Sequence, residues 1–161
     1  MFIGREEELN FLEDRYNSAD GQLVVLYGRR RVGKTELLRQ FCEHKEHVFY
    51  TCTEIIDEKQ LEAFSQRVLE KNKQAAKYIT RFSDWEQALL SITELAKEKK
   101  IVVVIDEFPY MVKGNNAIPS ILQKLWDEVL KQSNVMLILC GSAMSFIEKE
   151  VLAEKNPLYG R

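Results

Sequence analysis

The stretch Leu23-Val24-Val25-Leu26-Tyr27-Gly28-Arg29-Arg30-Arg31-Val32-Gly33-Lys34-Thr35 constrains this chain more than any other. An apolar run of strand-forming residues meets a turn bounded by two glycines. Glu36-Leu37-Leu38-Arg39-Gln40-Phe41 follows with good helix formers and apolar spacing. Gly28, Gly33, Lys34 and Thr35 fill every fixed position of the pattern GxxxxGK(S/T). The chemistry behind that spacing is specific. Glycines let the backbone curl its amides inward around phosphate oxygens, a lysine reaches the β- and γ-phosphates, and a hydroxyl at the helix N-terminus can ligate Mg²⁺. The stretch therefore predicts a buried strand, a phosphate-cradling loop and a helix, with the candidate nucleotide contacts running from Gly28 through Glu36.

The remainder alternates strands and helices. Arg5 to Tyr16 reads as a helix with Leu9, Leu12 and Tyr16 on one face and three glutamates in its first turn, where the macrodipole favours them. Ser18-Ala19-Asp20-Gly21 is a turn signal. Val48 to Thr53 is β-branched and aromatic and reads as a second strand. Asp57-Glu58-Lys59-Gln60 resembles a capping box before a helix carrying Leu61, Phe64, Val68 and Leu69. Ser83-Asp84-Trp85-Glu86 resembles another, before a stripe of Trp85, Ala88, Leu89, Ile92, Leu95 and Ala96. Trp85 is read as core.

Ile101-Val102-Val103-Val104-Ile105 shows no polar alternation, as expected of a strand buried on both faces of a parallel sheet. A helix is predicted from Pro119 to Gln132, and Val135 to Cys140 is a fourth strand of the same continuous kind.

Composition narrows the function classes. With 161 residues the chain suits one domain, 1–161, and its formal charge of -2 supplies no global basic field to attract nucleic acid. Cys42, Cys52 and Cys140 form no CxxC pair and read as reduced core thiols. No basic segment leads into an apolar one at the N-terminus, and no apolar run approaches bilayer-spanning length, so the expected location is cytoplasmic, with no membrane partner. His44 and His47 fall in a charged connection and read as surface residues rather than metal ligands.

In parallel α/β sheets ligands bind beyond the carboxyl ends of the strands, so residues just after each apolar run should converge. Those residues are Gly28 to Thr35, Glu54, Asp106-Glu107 and Ser142. An aspartate to hold Mg²⁺ and a second carboxylate to orient or deprotonate a water suit ATP hydrolysis. If strand geometry persists, Asp106 and Glu107 point in different directions and can do separate jobs. Ser142 reads either as a γ-phosphate contact or as a helix cap, and Glu54 either as part of the water network or as a polar strand end. Of Arg29, Arg30 and Arg31, two are expected to be solvated.

With these residues in view, the chain resembles the P-loop ATPases of the AAA-related archaeal ATPase family, also common in bacteria. The resemblance rests on the opening Phe2-Ile3-Gly4-Arg5-Glu6, the Walker A motif at Gly28 to Thr35, the Walker B motif at Ile105-Asp106-Glu107-Phe108, the sensor strand end Cys140-Gly141-Ser142, and the closing Pro157-Leu158-Tyr159-Gly160-Arg161. It implies a three-layer αβα P-loop NTPase sandwich with a parallel sheet of at least four strands. The strand order would be second strand, Walker B strand, sensor strand, P-loop strand.

It further implies ATP and Mg²⁺ as cofactors, with Thr35 and Asp106 at the metal. Phe2, Ile3 and Gly4 would lie at the adenine pocket, Glu107 would act as catalytic base, Ser142 as sensor, and Arg161 as an arginine near the γ-phosphate, of the same or a neighbouring subunit. Family members continue into a fifth strand, a lid and often a further domain, so the expectation is an ATPase core truncated before these. The P-loop strand would then lie at a sheet edge open to pairing in a homo-oligomer or edge-strand dimer. Three roles remain open at this stage: ATP hydrolysis driving conformational change in a longer protein, a slow nucleotide-dependent switch, and a DNA-acting defence or mobile-element factor that reaches nucleic acid through other domains.

Overall fold

A computed structural model describes residues 6–27 and 33–141. Helix α1 (Glu6–Tyr16) leads into strand β1 (Gln22–Tyr27) and helix α2 (Lys34–Cys42). Strand β2 (His47–Thr51) is followed by α3 (Asp57–Leu69), the short α4 (Lys73–Ala76) and α5 (Trp85–Leu95). Strand β3 (Ile101–Asp106), helices α6 (Phe108–Gly114) and α7 (Ile118–Glu128), and strand β4 (Val135–Gly141) complete the order. The four strands form one parallel sheet in the order β1-β4-β3-β2, as the family resemblance implies.

Strand periodicity sorts the core into two layers. Ile101, Val103 and Ile105 of β3 and Val135, Leu137 and Leu139 of β4 face the larger cluster, which holds Phe64 of α3, Trp85 and Ile92 of α5, and Leu122 and Leu125 of α7. Val102, Val104, Met136, Ile138 and Cys140 face the smaller cluster, built on Leu12 of α1 and Leu37, Leu38 and Phe41 of α2. Both faces of β3 and β4 are thus covered, which explains why neither strand alternates in sequence. Among the described residues no helix is long and apolar enough to cross a membrane.

Several boundaries differ from expectation for identifiable reasons. The last helix stops at Glu128 instead of reaching Gln132. Val129 leaves helical geometry at φ -143°, and Leu130–Gln132 forms a 3₁₀ turn. That break puts Leu130 into the core and offers the Lys131 carbonyl to Gly21 N–H at 3.0 Å. A Cβ on Gly21 would sit 2.1 Å from the Leu130 carbonyl oxygen, so the turn glycine is required by close approach.

The expected capping box at Asp57 is absent. Ile56 occupies the N-cap without a side-chain bond, and Asp57 instead accepts from Trp85 Nε1 at 2.8 Å and Asn115 Nδ2 at 3.3 Å. At α5 the cap lies one residue later than the Ser83 box implied, with Asp84 accepting from Gln87 N–H at 2.8 Å. Trp85 is buried core, as read. His47 belongs to β2 and is half-buried, with Nδ1 2.8 Å from the Lys45 carbonyl, whereas His44 is exposed at φ 69°.

Candidate active site at the sheet's carboxyl end

Gly33, at φ 79° and ψ 22°, closes the loop in the left-handed region, which only glycine enters without a Cβ clash, and serves as N-cap of α2. Its carbonyl accepts from Leu37 N–H at 2.9 Å, so Lys34 and Thr35 open the helix. Their position puts them at the positive end of the helix dipole. Glu36 is exposed in the same first turn.

Across the sheet, β3 ends on Asp106, which is 4% exposed. A buried carboxylate requires partners. Asp106 Oδ2 accepts from Thr35 Oγ1 at 2.9 Å, and Oδ1 accepts from Glu107 N–H at 3.0 Å. The first of these bonds joins residues 71 positions apart and brings the helix start of the glycine-rich loop onto the end of β3.

The two acids are separated by a turn and not by strand alternation, contrary to expectation. Glu107 leaves the strand at φ 55° and ψ 40° as N-cap of α6, with Pro109 in the first turn. A left-handed glutamate has an energetic cost, and such positions gather at functional sites. Helix α6 was not foreseen, although Pro109 followed by Tyr110, Met111 and Val112 carries a helix-start signal.

Cys140 is the participant that sequence reasoning missed. Because Ile105 pairs with Leu139, Asp106 falls beside Cys140, and their side chains are hydrogen-bonded. Burial, then the Asp106 charge and that hydrogen bond, push the Cys140 thiol up, while the Lys34 charge pulls it down. Cys52, on the other flank, is pushed up by burial and then by Asp106. Both thiols therefore stay protonated beside a carboxylate. All three cysteines are free and buried, as read from their spacing.

Glu54 resolves to the structural alternative, since it pairs with Lys113 of α6. Phe2, Ile3, Gly4, Gly28, Arg29, Arg30, Arg31, Val32, Ser142 and Arg161 lie outside the described residues. Lys34, Thr35, Asp106 and Glu107 are the predicted residues that the structure brings to one end of the sheet.

No group of three or more His, Cys, Asp or Glu among the described residues forms a self-sufficient metal site. Thr35 Oγ1 and Asp106 Oδ2 nevertheless converge as hard oxygen donors at 2.9 Å. That fits Mg²⁺, which keeps several waters and takes its other ligands from substrate phosphates.

The chain matches, over residues 2–161, the model of an ATPase domain found predominantly in Archaea. It is 37% identical over its full length to an uncharacterized protein of Methanocaldococcus jannaschii, of which it spans 34%. Over 46 residues, 29% of the chain, it is 54% identical to an uncharacterized ATP-binding protein of the same organism, covering 78% of that protein. Among solved structures, a Walker-type ATPase of Pyrococcus abyssi superposes with TM-score 0.73 and 26% identity over all of this chain and 51% of that one. Cdc6p of Pyrobaculum aerophilum shares the fold at TM-score 0.64 and 17% identity, over 92% of this chain and 41% of that one. The parallel α/β sandwich expected from the sequence is thus the fold of these P-loop ATPases.

Proposed function

The chain belongs to the family of ATPase domains found predominantly in Archaea, and from that premise we propose that it binds ATP with Mg²⁺ and hydrolyses it at the carboxyl end of its sheet. The observation that carries this reading is the 2.9 Å hydrogen bond from Thr35 to Asp106, which holds a P-loop hydroxyl against a buried carboxylate.

The roles of the loop, Lys34, Thr35, Asp106 and Glu107 follow from chemistry, and those of Phe2, Ile3, Gly4, Ser142 and Arg161 rest on the resemblance to the family. Amides from Gly28 through Glu36 wrap the β- and γ-phosphates, and the Lys34 ammonium offsets charge on the transferring group. Thr35 and Asp106 would hold Mg²⁺, which would supply positive charge to offset that of the phosphates. The Thr35 hydroxyl donates its hydrogen bond to Asp106 and so presents a lone pair outward. Glu107 orients the attacking water and takes its proton. Phe2, Ile3 and Gly4 contact the adenine, Ser142 senses the γ-phosphate, and Arg161 reaches it from the same or a neighbouring subunit.

All of the chain matches about a third of the length of its 37% identical curated relative, and we propose that hydrolysis acts within a longer protein. We assign it conformational change in that protein. Calorimetric titration of ATP with and without Mg²⁺, paired with phosphate release, tests the site. Heat of binding that strengthens with Mg²⁺ and vanishes in Lys34→Ala supports it, and equal heat in the variant removes it.

A further inference from the structure

Strand β2 forms one edge of the described sheet and pairs with β3 alone. Val102 N–H donates to the Glu46 carbonyl at 3.0 Å, and Cys52 N–H to the Asp106 carbonyl at 2.8 Å. Backbone groups in a parallel ladder alternate sides, so even-numbered residues here face β3, and His47, Phe49 and Thr51 turn their N–H and C=O groups outward. Edge strands are usually blunted by proline, a bulge or a charge within the strand. His47-Val48-Phe49-Tyr50-Thr51 contains no proline and no Asp, Glu, Lys or Arg, and its register against β3 runs without interruption.

The charges stand on either side of the edge. A groove of about 670 Å³ runs along β2 and is lined by Arg39 of α2, Arg67 of α3 and Lys71 just beyond it, with Gln66 and Glu70 between. Arg39 sits over the Phe49 ring, 4.4 Å from its centroid. Stacking of that kind leaves a guanidinium's in-plane donors available to a carboxylate. Arg67 meets Glu70 at 3.8 Å and Lys71 meets Glu46 at 3.6 Å, and all four side chains are at least 40% exposed. Exposed pairs of this length contribute little, so an incoming carboxylate can recruit either cation at small cost.

We propose that the β2 edge is a docking site for an extended acidic segment of a protein partner, which adds as a strand beside β2. Its backbone pairs with Phe49 and Thr51, and its carboxylates reach Arg39 on one face and Arg67 and Lys71 on the other. The two-sided placement of the cations follows the alternation of a strand's side chains, and the outward peptide groups have no counterpart in a sugar-phosphate backbone. These two features favour a peptide over a nucleic acid. The inference is independent of the nucleotide site.

The test is fluorescence anisotropy of a short fluorescein-labelled peptide of alternating Glu and Val, against a Lys-Val counterpart and a single-stranded oligonucleotide. The Glu-Val peptide binds, the Lys-Val peptide does not, and added salt weakens the complex. The double variant Arg67→Glu/Lys71→Glu weakens it about tenfold. Thr51→Pro removes an outward N–H without touching the β3 ladder and weakens it comparably. Hydrogen exchange shows new protection at the Phe49 and Thr51 amides on binding. Absence of Glu-Val binding, or binding indifferent to the charge-reversed pair and without that protection, overturns the proposal. Oligonucleotide binding in place of peptide binding overturns it in favour of a phosphate-reading surface. If Thr51→Pro fails to fold, the charge-reversed pair and the exchange pattern decide alone.

Discussion

Gln60 and Asp106 are both polar and nearly inaccessible, at 1% and 4% exposure, and both sit near strand ends. Their surroundings differ in kind. Gln60 Oε1 accepts from the Tyr50 hydroxyl and from Thr53 N–H at 3.4 Å, while Nε2 donates to the Thr53 carbonyl at 2.8 Å. That network is neutral and closed, and it ties the segment after β2 to α3. Asp106 carries a charge, accepts from two groups that begin or precede helices, and lies beside a thiol. A closed neutral network stabilises a connection. A charged one at the mouth of a glycine-rich loop has affinity for a hard cation.

If that distinction holds, perturbations at the two networks separate cleanly. The largest effect is expected at Glu107. Glu107→Gln keeps the shape but cannot take a proton, so steady-state ATP turnover should fall about 10²- to 10⁴-fold while ATP affinity stays within a few-fold. Turnover within a few-fold of the parent chain would dismiss Glu107 as base. Next is Lys34→Ala, which removes a charge-assisted donor to phosphate. ATP affinity should fall about 10²-fold or more by calorimetry, with the thermal midpoint of the nucleotide-free protein little changed.

The third effect is smaller and of the opposite type. Gln60→Leu leaves the buried Tyr50 hydroxyl without its acceptor, while the Thr53 carbonyl keeps its bond from Ile55 N–H at 2.9 Å, and should cost about 1–3 kcal/mol in urea unfolding. ATP affinity should be unaltered. A loss of ATP affinity matching that at Lys34 would show that the two networks are one, and would break the comparison.

The sequence made the two networks unequally legible. Apposition of Thr35 and Asp106 follows from a general rule, since ligand-contacting residues of parallel sheets gather past the strand ends, and both residues sit there. The strand order came from the family resemblance; the continuous apolar runs at β3 and β4 say only that both faces of those strands are covered. Gln60 was read only as the last residue of a capping box, because local spacing resembles one whether or not the side chain turns inward. Tertiary demand decided it: the Tyr50 hydroxyl, buried against Phe64 at a ring separation of 5.7 Å, needs an acceptor. Cys140 was read only as core because its neighbour Asp106 comes from another strand, and register is not visible in composition. The left-handed turn at Glu107 escaped for a related reason, since propensity disfavours it and only the packing of α6 imposes it.

The smallest effect probes the closed network through pH. Burial, then the nearby Cys52, push the Tyr50 phenol up to about 12 from 10.0. Between those values the unfolded chain loses the proton and the folded chain keeps it, so the unfolded state binds fewer protons and stability falls as pH rises. The contribution is fully present below pH 10 and is lost as pH approaches the folded value. Tyr50→Phe removes this titration along with one hydrogen bond. It should cost about 1 kcal/mol at neutral pH, and its stability should decline less steeply than the parent's from pH 10 upward, since the cysteines still titrate. Denaturant midpoints measured across that range check it. An unchanged slope would mean that the Gln60 network opens before the phenol ionises, and that it is less closed than its bonds imply.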